Sequence, residues 1–243
     1  MARRLWRSTY RKTPLPTSEN RLIELLPSAD RKRLLDACEP IQLVLAEVVY
    51  DVGAQTRYAW FPVDGFVSLV ARIDNHPGLE VGMVGREGMV GVHLALGVPT
   101  TPLHAVVQGP GMAWRISAAD FRRELAHSAA LRRGMARYTH VLMTQLAAAA
   151  ACLRFHLIEP RLARWLLMSQ DRAHADSFGM TQEFLAYMLG VRRVGITAAA
   201  GALQRKGLIE YRRGDLTVLD RKGLEAVACA CYAADHKAYR EWL

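Results

Sequence analysis

Long apolar runs are missing from this sequence. No stretch approaches the ~18 uninterrupted apolar residues of a membrane span. The most apolar helical run, residues 142–153, is Ala-rich and too short to cross. No apolar segment follows the basic start MARRLWRSTYRKTP, so no secretory signal is expected and the cytosol is the expected compartment. Cysteine is scarce: Cys38, Cys152, Cys229 and Cys231 are expected to be reduced thiols rather than a disulfide framework. Catalytic signatures are absent too. There is no GxSxG elbow, Walker loop, HExxH helix or dinucleotide fingerprint, and Gly85-Arg86-Glu87-Gly88 lacks the strand–helix setting of a phosphate loop, so no enzyme is expected. No internal repeat is visible. What remains is an ordinary globular composition over 243 residues, 51% hydrophobic and 23% charged.

The charge is uneven. The net is +9, distributed as +6 over residues 1–33, −4 over 34–127 and +7 over 128–243. Basic blocks at both ends mark contact with nucleic acid or an anionic surface; the plainer alternative is a solvated basic face.

Residues 1–20 are basic and polar with two prolines and are expected to form a flexible arm. Short helices are predicted over 19–26 and 30–38. From 41 to 116 the pattern turns to β-branched and aromatic runs, at 41–50, 58–62, 66–73, 79–84, 105–107 and 112–116, separated by turn signals such as Asp64-Gly65. Short strands at such spacing indicate an antiparallel sandwich or barrel. After Ser117, a cap, the period becomes helical. A long helix is predicted over 128–156. Along it Leu131, Met135, Tyr138, Leu142, Gln145, Ala149, Cys152 and His156 recur at alternating spacings of four and three. That is an a/d seam, read here as a self-association surface, with a helix packed on its own domain as the alternative. The alanines at 147–151 would allow close approach of two backbones. A further amphipathic helix, 161–169, turns Leu162, Trp165, Leu166 and Ser169 to one side.

Residues 180–220 read MTQEFLAYMLGVRRVGITAAAGALQRKGLIEYRRGDLTVLD and are the most informative stretch. Thr181 is a good N-cap, with Glu183 in the first turn where it complements the helix dipole. A two-turn helix over 182–189 ends at Gly190, suited to a tight turn. A second helix, about 192–206, carries the apolar stripe Ile196, Ala199, Ala200 and Leu203. Its other face begins with Arg192 and Arg193 and continues with Thr197. This is a helix-turn-helix whose second helix can enter a major groove. Two short β runs then flank Arg212-Arg213-Gly214-Asp215, a hairpin wing whose arginines suit phosphates.

On these residues the chain resembles the CRP/FNR superfamily of bacterial transcription regulators. RLARWLLMSQDR before TQEFLAYMLGVRR carries the resemblance most strongly; YAWFPVDGFVSLV and EVGMVGREGMVG are similar to the family's sensor strands. The resemblance implies an α+β fold: an N-terminal antiparallel β-roll of the cyclic-nucleotide-binding type (21–127), a dimerisation helix (128–158) and a C-terminal winged helix-turn-helix with a last helix (159–243). It implies duplex DNA with an inverted-repeat operator, a second copy of the chain and RNA polymerase as partners, and no membrane. The expected DNA contacts are Thr181, Gln182, Arg192, Arg193, Thr197, Arg212 and Arg213.

The departures are equally specific. The family's recognition helix often reads Arg-Glu-x-x-x-Arg; the matching positions here are Arg193, Val194 and Ala198. Cyclic-nucleotide binders carry a Gly-Glu pair and an Arg-Ser pair. Here Gly91 is followed by Val92, and Leu103 and His104 stand where the Arg-Ser pair would, so cyclic AMP is not the expected effector and no cofactor is assigned. No cysteine cluster marks the arm, and His76, His93 and His104 are expected at the surface or satisfied in the core. Cys229 and Cys231, read on one helix, would point about 200° apart, so no metal site is predicted and both are taken as small core residues. The alternatives are a redox- or metal-responsive regulator using Cys229 and Cys231, or an effector-independent DNA-binding or interaction protein.

Overall fold

A computed structural model describes residues 20–74 and 78–243. The predicted arm lies outside the described residues except for Asn20, and His76 lies outside them as well. Asn20 is buried. Its carboxamide accepts from the Leu22 amide at 3.1 Å to cap helix α1 (Arg21–Glu24), and its Nδ2 donates to the carbonyls of Pro62 and Gly88, each at 2.9 Å. Helix α2 (Ser28–Asp36) follows, with Pro27 at its cap position.

Strands β1 (Glu39–Leu43), β2 (Val48–Tyr50), β3 (Tyr58–Pro62), β4 (Phe66–Ala71), β5 (Leu79–Val84), β6 (Leu103–Gly109) and β7 (Gly111–Ser117) form two antiparallel sheets, ordered β1-β7-β3 and β2-β6-β4-β5. The run expected at 41–50 is therefore two strands. Ala46 adopts a left-handed conformation (φ +64°), and the break sends each half into a different sheet. A short 3-10 helix, Val92–Leu96, lies between Gly91 and Gly97, both left-handed; its single turn is too short to leave a periodic signal. Tyr50, Trp60, Val67, Leu69, Val84, Ala105, Val107 and Ala113 are buried in one cluster of the roll. Such apolar burial, at roughly 25 cal/mol per Å², is the dominant stabilising term of a roll this size.

Ser117 caps α3 (Ala118–His127), accepting from the Asp120 amide at 3.0 Å, and Ser128 caps the long helix α4 (Ala129–Phe155), accepting from the Leu131 amide at 3.0 Å. The seam expected on α4 is corrected here. Leu131, Met135, Tyr138, Leu142, Gln145, Ala149 and Cys152 are all buried within the single chain. The first three join the core with Phe61, Met89 and Phe121, and Leu142 joins the roll cluster. A 3-4 spacing identifies a buried face without saying which partner buries it. Here the partner is the chain's own roll and last helix.

Beyond α4 come α5 (Ile158–Ala173), β8 (Ser177–Gly179), α6 (Gln182–Leu189), α7 (Arg193–Arg205), β9 (Ile209–Arg212), β10 (Asp215–Val218), α8 (Arg221–Val227) and α9 (Cys231–Trp242). Helix α5 is buried nearly all round rather than on one face, because roll and winged domain enclose it from opposite sides. Helix α9 meets both halves of the chain: Asp235 pairs with Arg164 of α5 at 2.6 Å, and the Tyr232 hydroxyl reaches Asp171 at 2.8 Å. Its later turns also lie on α4, where the Tyr239 hydroxyl meets Gln145 Oε1 at 3.3 Å and the Trp242 ring lies 5.0 Å from that of His140. The expectation for Cys229 and Cys231 also changes. Helix α8 ends at Val227 and α9 starts at Cys231, so Cys229 sits in the link and the 200° argument does not apply. Both thiols turn toward Cys152 and His156.

Strand β5 joins the two halves. Phe66, Val70 and Met83 of the roll share one core with Trp165, Phe178, Leu185 and Met188. Arg172 of α5 pairs with Glu87 at 2.7 Å, both largely buried. Glu80, partly buried, accepts from Trp165 Nε1 at 2.7 Å and from the Ser68 hydroxyl. Burial pushes its carboxyl up to about 7, against the pull of these hydrogen bonds and of Arg172 and Arg164. Between the ordinary value of 4.5 and about 7, the unfolded chain ionises Glu80 while the folded chain keeps its proton. Stability is therefore highest below this window, falls as pH rises through it, and levels off above. Glu80→Gln should remove a decline of about 3 kcal/mol, raising the unfolding midpoint more at about pH 8 than at about pH 5. Equal shifts at both pH values would assign the titration elsewhere.

Candidate nucleic-acid interface

The helix-turn-helix forms where local chemistry places it. Thr181 caps α6, its Oγ1 accepting from the Phe184 amide at 3.1 Å, and Glu183 occupies the first turn. The inner face of α6 buries Leu185, Ala186, Met188 and Leu189. Gly190 ends it with φ +62°, and a Cβ there would fall 2.6 Å from Leu79 Cδ1 of the roll. The positive φ favours glycine, and a side chain there would also make the end of Leu79 move aside. Arg192 is the cap position of α7 rather than its first helical residue. Ile196, Ala199, Ala200 and Leu203 are buried as predicted. The opposite face shows Arg193, Val194, Thr197 and Ala198, with Val194 72% exposed. Thr197 Oγ1 has two acceptors in reach, Gln182 Oε1 at 2.7 Å and the Arg193 carbonyl at 3.1 Å. The first ties the opening turns of the two helices together.

The wing turns at Arg213 and Gly214, both with positive φ, as a two-residue hairpin demands. Its two predicted strands gain a third, giving the order β8-β10-β9; β8 has only three residues and left no pattern. Tyr211 braces the wing. Its hydroxyl donates to the Met180 carbonyl at 2.8 Å, and its amide donates to Gln204 Oε1 at 2.9 Å. Neither Tyr211 nor Gln204 was singled out from the sequence. The available signal was a tyrosine inside a hairpin, whose hydroxyl needs a partner when covered. Burial holds that hydroxyl's proton, up to about 12, against the opposing pull of the nearby Arg193 guanidinium.

One open hollow collects Thr181, Gln182, Arg193 and Arg213, along with Tyr211 and Glu183. Four of the seven expected DNA residues thus meet on one face, and Thr197 adjoins them through Gln182. Arg192 and Arg212 stand outside the hollow. Arg212 is 80% exposed along its side chain and lies 2.9 Å from Glu210, which offsets its charge. Among the described residues Arg192, Arg193 and Arg213 form no ion pair.

Residues 160–227 match the family model of the Crp-like helix-turn-helix domain. The chain carries a Crp-like helix-turn-helix on a CRP/FNR fold. The structure of FixK2 from Bradyrhizobium japonicum superposes with a TM-score of 0.67 at 15% identity, covering 79% of this chain and 98% of that one. The c-di-GMP-responsive global regulator CLP of Xanthomonas campestris gives 0.65 at 18% identity, covering 79% and 99%. A CRP/FNR-family transcriptional regulator of Thermus thermophilus gives 0.57 at 22% identity, covering 78% and 98%. No curated protein sequence matches the chain. The antiparallel roll described above lies outside the residues that this domain model matches. No helix among the described residues is long and apolar enough to cross a membrane.

Proposed function

We propose that this CRP/FNR-type regulator acts as a cytosolic homodimer that reads an inverted-repeat operator and meets RNA polymerase there. The supporting observation is the hollow that joins the start of α7 to the wing tip through Thr181, Gln182, Arg193 and Arg213. Arg193 reads a guanine, the bidentate pairing its guanidinium suits. Val194, standing where the family often has a carboxylate, offers its exposed side chain to a thymine methyl. Thr197 lies beside these two. Thr181, Gln182 and Arg213 hold phosphates, and Arg192 and Arg212 add charge at the margins.

The dimer surface is the outer face of α4. Ala136, His140, Met143, Ala147 and Ala150 repeat there at spacings of four and three, all exposed, with Met143 63% exposed. Small residues on this face allow close helix approach. Phe155 and Leu157, 75% and 79% exposed, extend it toward the winged domain.

The roll does not take cyclic AMP. Leu103 and His104 occupy the positions where a phosphate would need a guanidinium, and His104 Nδ1 is already 3.0 Å from Asp51. His93 bonds Thr56 at 2.9 Å, and burial lowers its tendency to take a proton. Calorimetry with cyclic AMP should register no binding heat; micromolar affinity would overturn this reading.

Selection of bound duplexes from a random pool should enrich an inverted repeat with half-sites about one helical turn apart. On that operator Arg193→Ala should cost about 1–3 kcal/mol and relax one base pair, while Arg213→Ala should weaken all sequences alike and flatten the salt dependence. Equal losses from Arg193→Ala on operator and random DNA would remove the base contact. Met143→Glu should sediment as a monomer while shifting stability by only about 0.5 kcal/mol, as surface changes do; a persistent dimer would move the interface off α4.

A further inference from the structure

Four side chains from distant parts of the chain converge at the end of α4. Cys152 and His156 lie one helical turn apart, and His156 is the residue that ends the helix. Cys229 and Cys231 flank Ala230, the cap position of α9. The four ligand atoms all lie within 4.8 Å of one another. Cys152 Sγ and Cys229 Sγ are 3.6 Å apart, and Cys231 Sγ and His156 Nδ1 are 3.6 Å apart. The Sγ–Sγ separation is well beyond the ~2.0 Å of a disulfide bond, and a single disulfide would leave Cys231 and His156 converging on nothing. Tetrahedral zinc, with bonds of about 2.3 Å to sulfur and about 2.0–2.1 Å to nitrogen, sets sulfurs about 3.8 Å apart and sulfur from nitrogen about 3.6 Å. The two edges at 3.6 Å are close to those of such a site, and the remaining four are within 4.8 Å.

We propose that Cys152, His156, Cys229 and Cys231 bind one zinc(II) ion in a closed, four-ligand structural site. Three thiolates, a neutral imidazole and one divalent ion leave a charge of −1, and Arg161 and Arg164 line the hollow that contains Cys152. Binding releases the three thiol protons to solvent and requires no oxidant. With no position left for water, the site is structural rather than catalytic.

Its place in the fold gives it a consequence. The Cys229 amide donates to the Pro160 carbonyl at 3.3 Å, and Arg161 donates to the carbonyl of Leu189, the last residue of α6. The ion would lock the end of α4, the start of α5 and the root of α9 together, one residue from the arginine that holds the helix-turn-helix. Loss of metal should therefore loosen the setting of α6 and α7 against the roll. The metal assignment itself does not depend on the DNA reading.

The test uses the full chain purified under reducing conditions. Elemental analysis should find one zinc per chain. Protein stripped with a chelator should take up one cobalt(II), with the intense visible bands of tetrahedral thiolate coordination and three protons released. Cys229→Ser and Cys231→Ser should lose the zinc, and Cys38→Ser should keep it. Should the serine variants fail to fold, the cobalt spectrum of the unaltered chain decides alone. Metal-free protein giving no tetrahedral cobalt spectrum would overturn the proposal. So would full zinc retention in both serine variants, or a Cys152–Cys229 disulfide in the reduced protein as purified.

Discussion

Burial of the inner face of α4 is the constraint on which the other parts depend. Leu131, Met135 and Tyr138 close the base of the roll, Leu142 enters its sheet core, and Gln145 and Cys152 meet the returning C-terminal segment. One rigid rod thus touches the roll, the link before α9 and the last helix together. Tyr138 shows how tightly. Its hydroxyl reaches the Met89 carbonyl at 3.2 Å, and a Cβ on Gly88 would fall 2.4 Å from that hydroxyl. Because interiors are close-packed, a shift at one end of α4 cannot be absorbed locally and must move its neighbours.

The second coupling runs through β5. The winged domain packs against the roll of its own chain by apolar contact, by the Glu87–Arg172 pair and by the Trp165 indole on Glu80. Gly78 lies where an added methyl group would crowd both Tyr187 and Val70. Buried polar links of this kind stabilise one arrangement only while every partner is present, because an orphaned charge in a low dielectric costs several kcal/mol. The contact between roll and winged domain is therefore sensitive to the loss of any one of these partners.

Much of the helix-turn-helix is legible in the sequence. Thr181 as a cap, Gly190 as the turn and the Ile196–Leu203 stripe follow local rules that tertiary context did not override. The wing arginines were visible but not distinguishable. Only the left-handed turn at Arg213 and the proximity of Glu210 separate one from the other. Tyr211, β8 and the split at Ala46 escaped because each depends on a partner distant in sequence or on a segment too short to show a period.

The sequence by itself determined most of the helices and the longer strands, the helix-turn-helix with its wing, and which residue types stand on the exposed face of α7, since these rest on spacing and residue type. Tertiary structure alone decided two matters. It decided which face of α4 is covered from within, because a 3-4 repeat is the same whether a domain or a second chain buries it. It also brought Cys152 and His156 to Cys229 and Cys231, because convergence across more than seventy residues is set by how α9 folds back on α4 and by no local pattern.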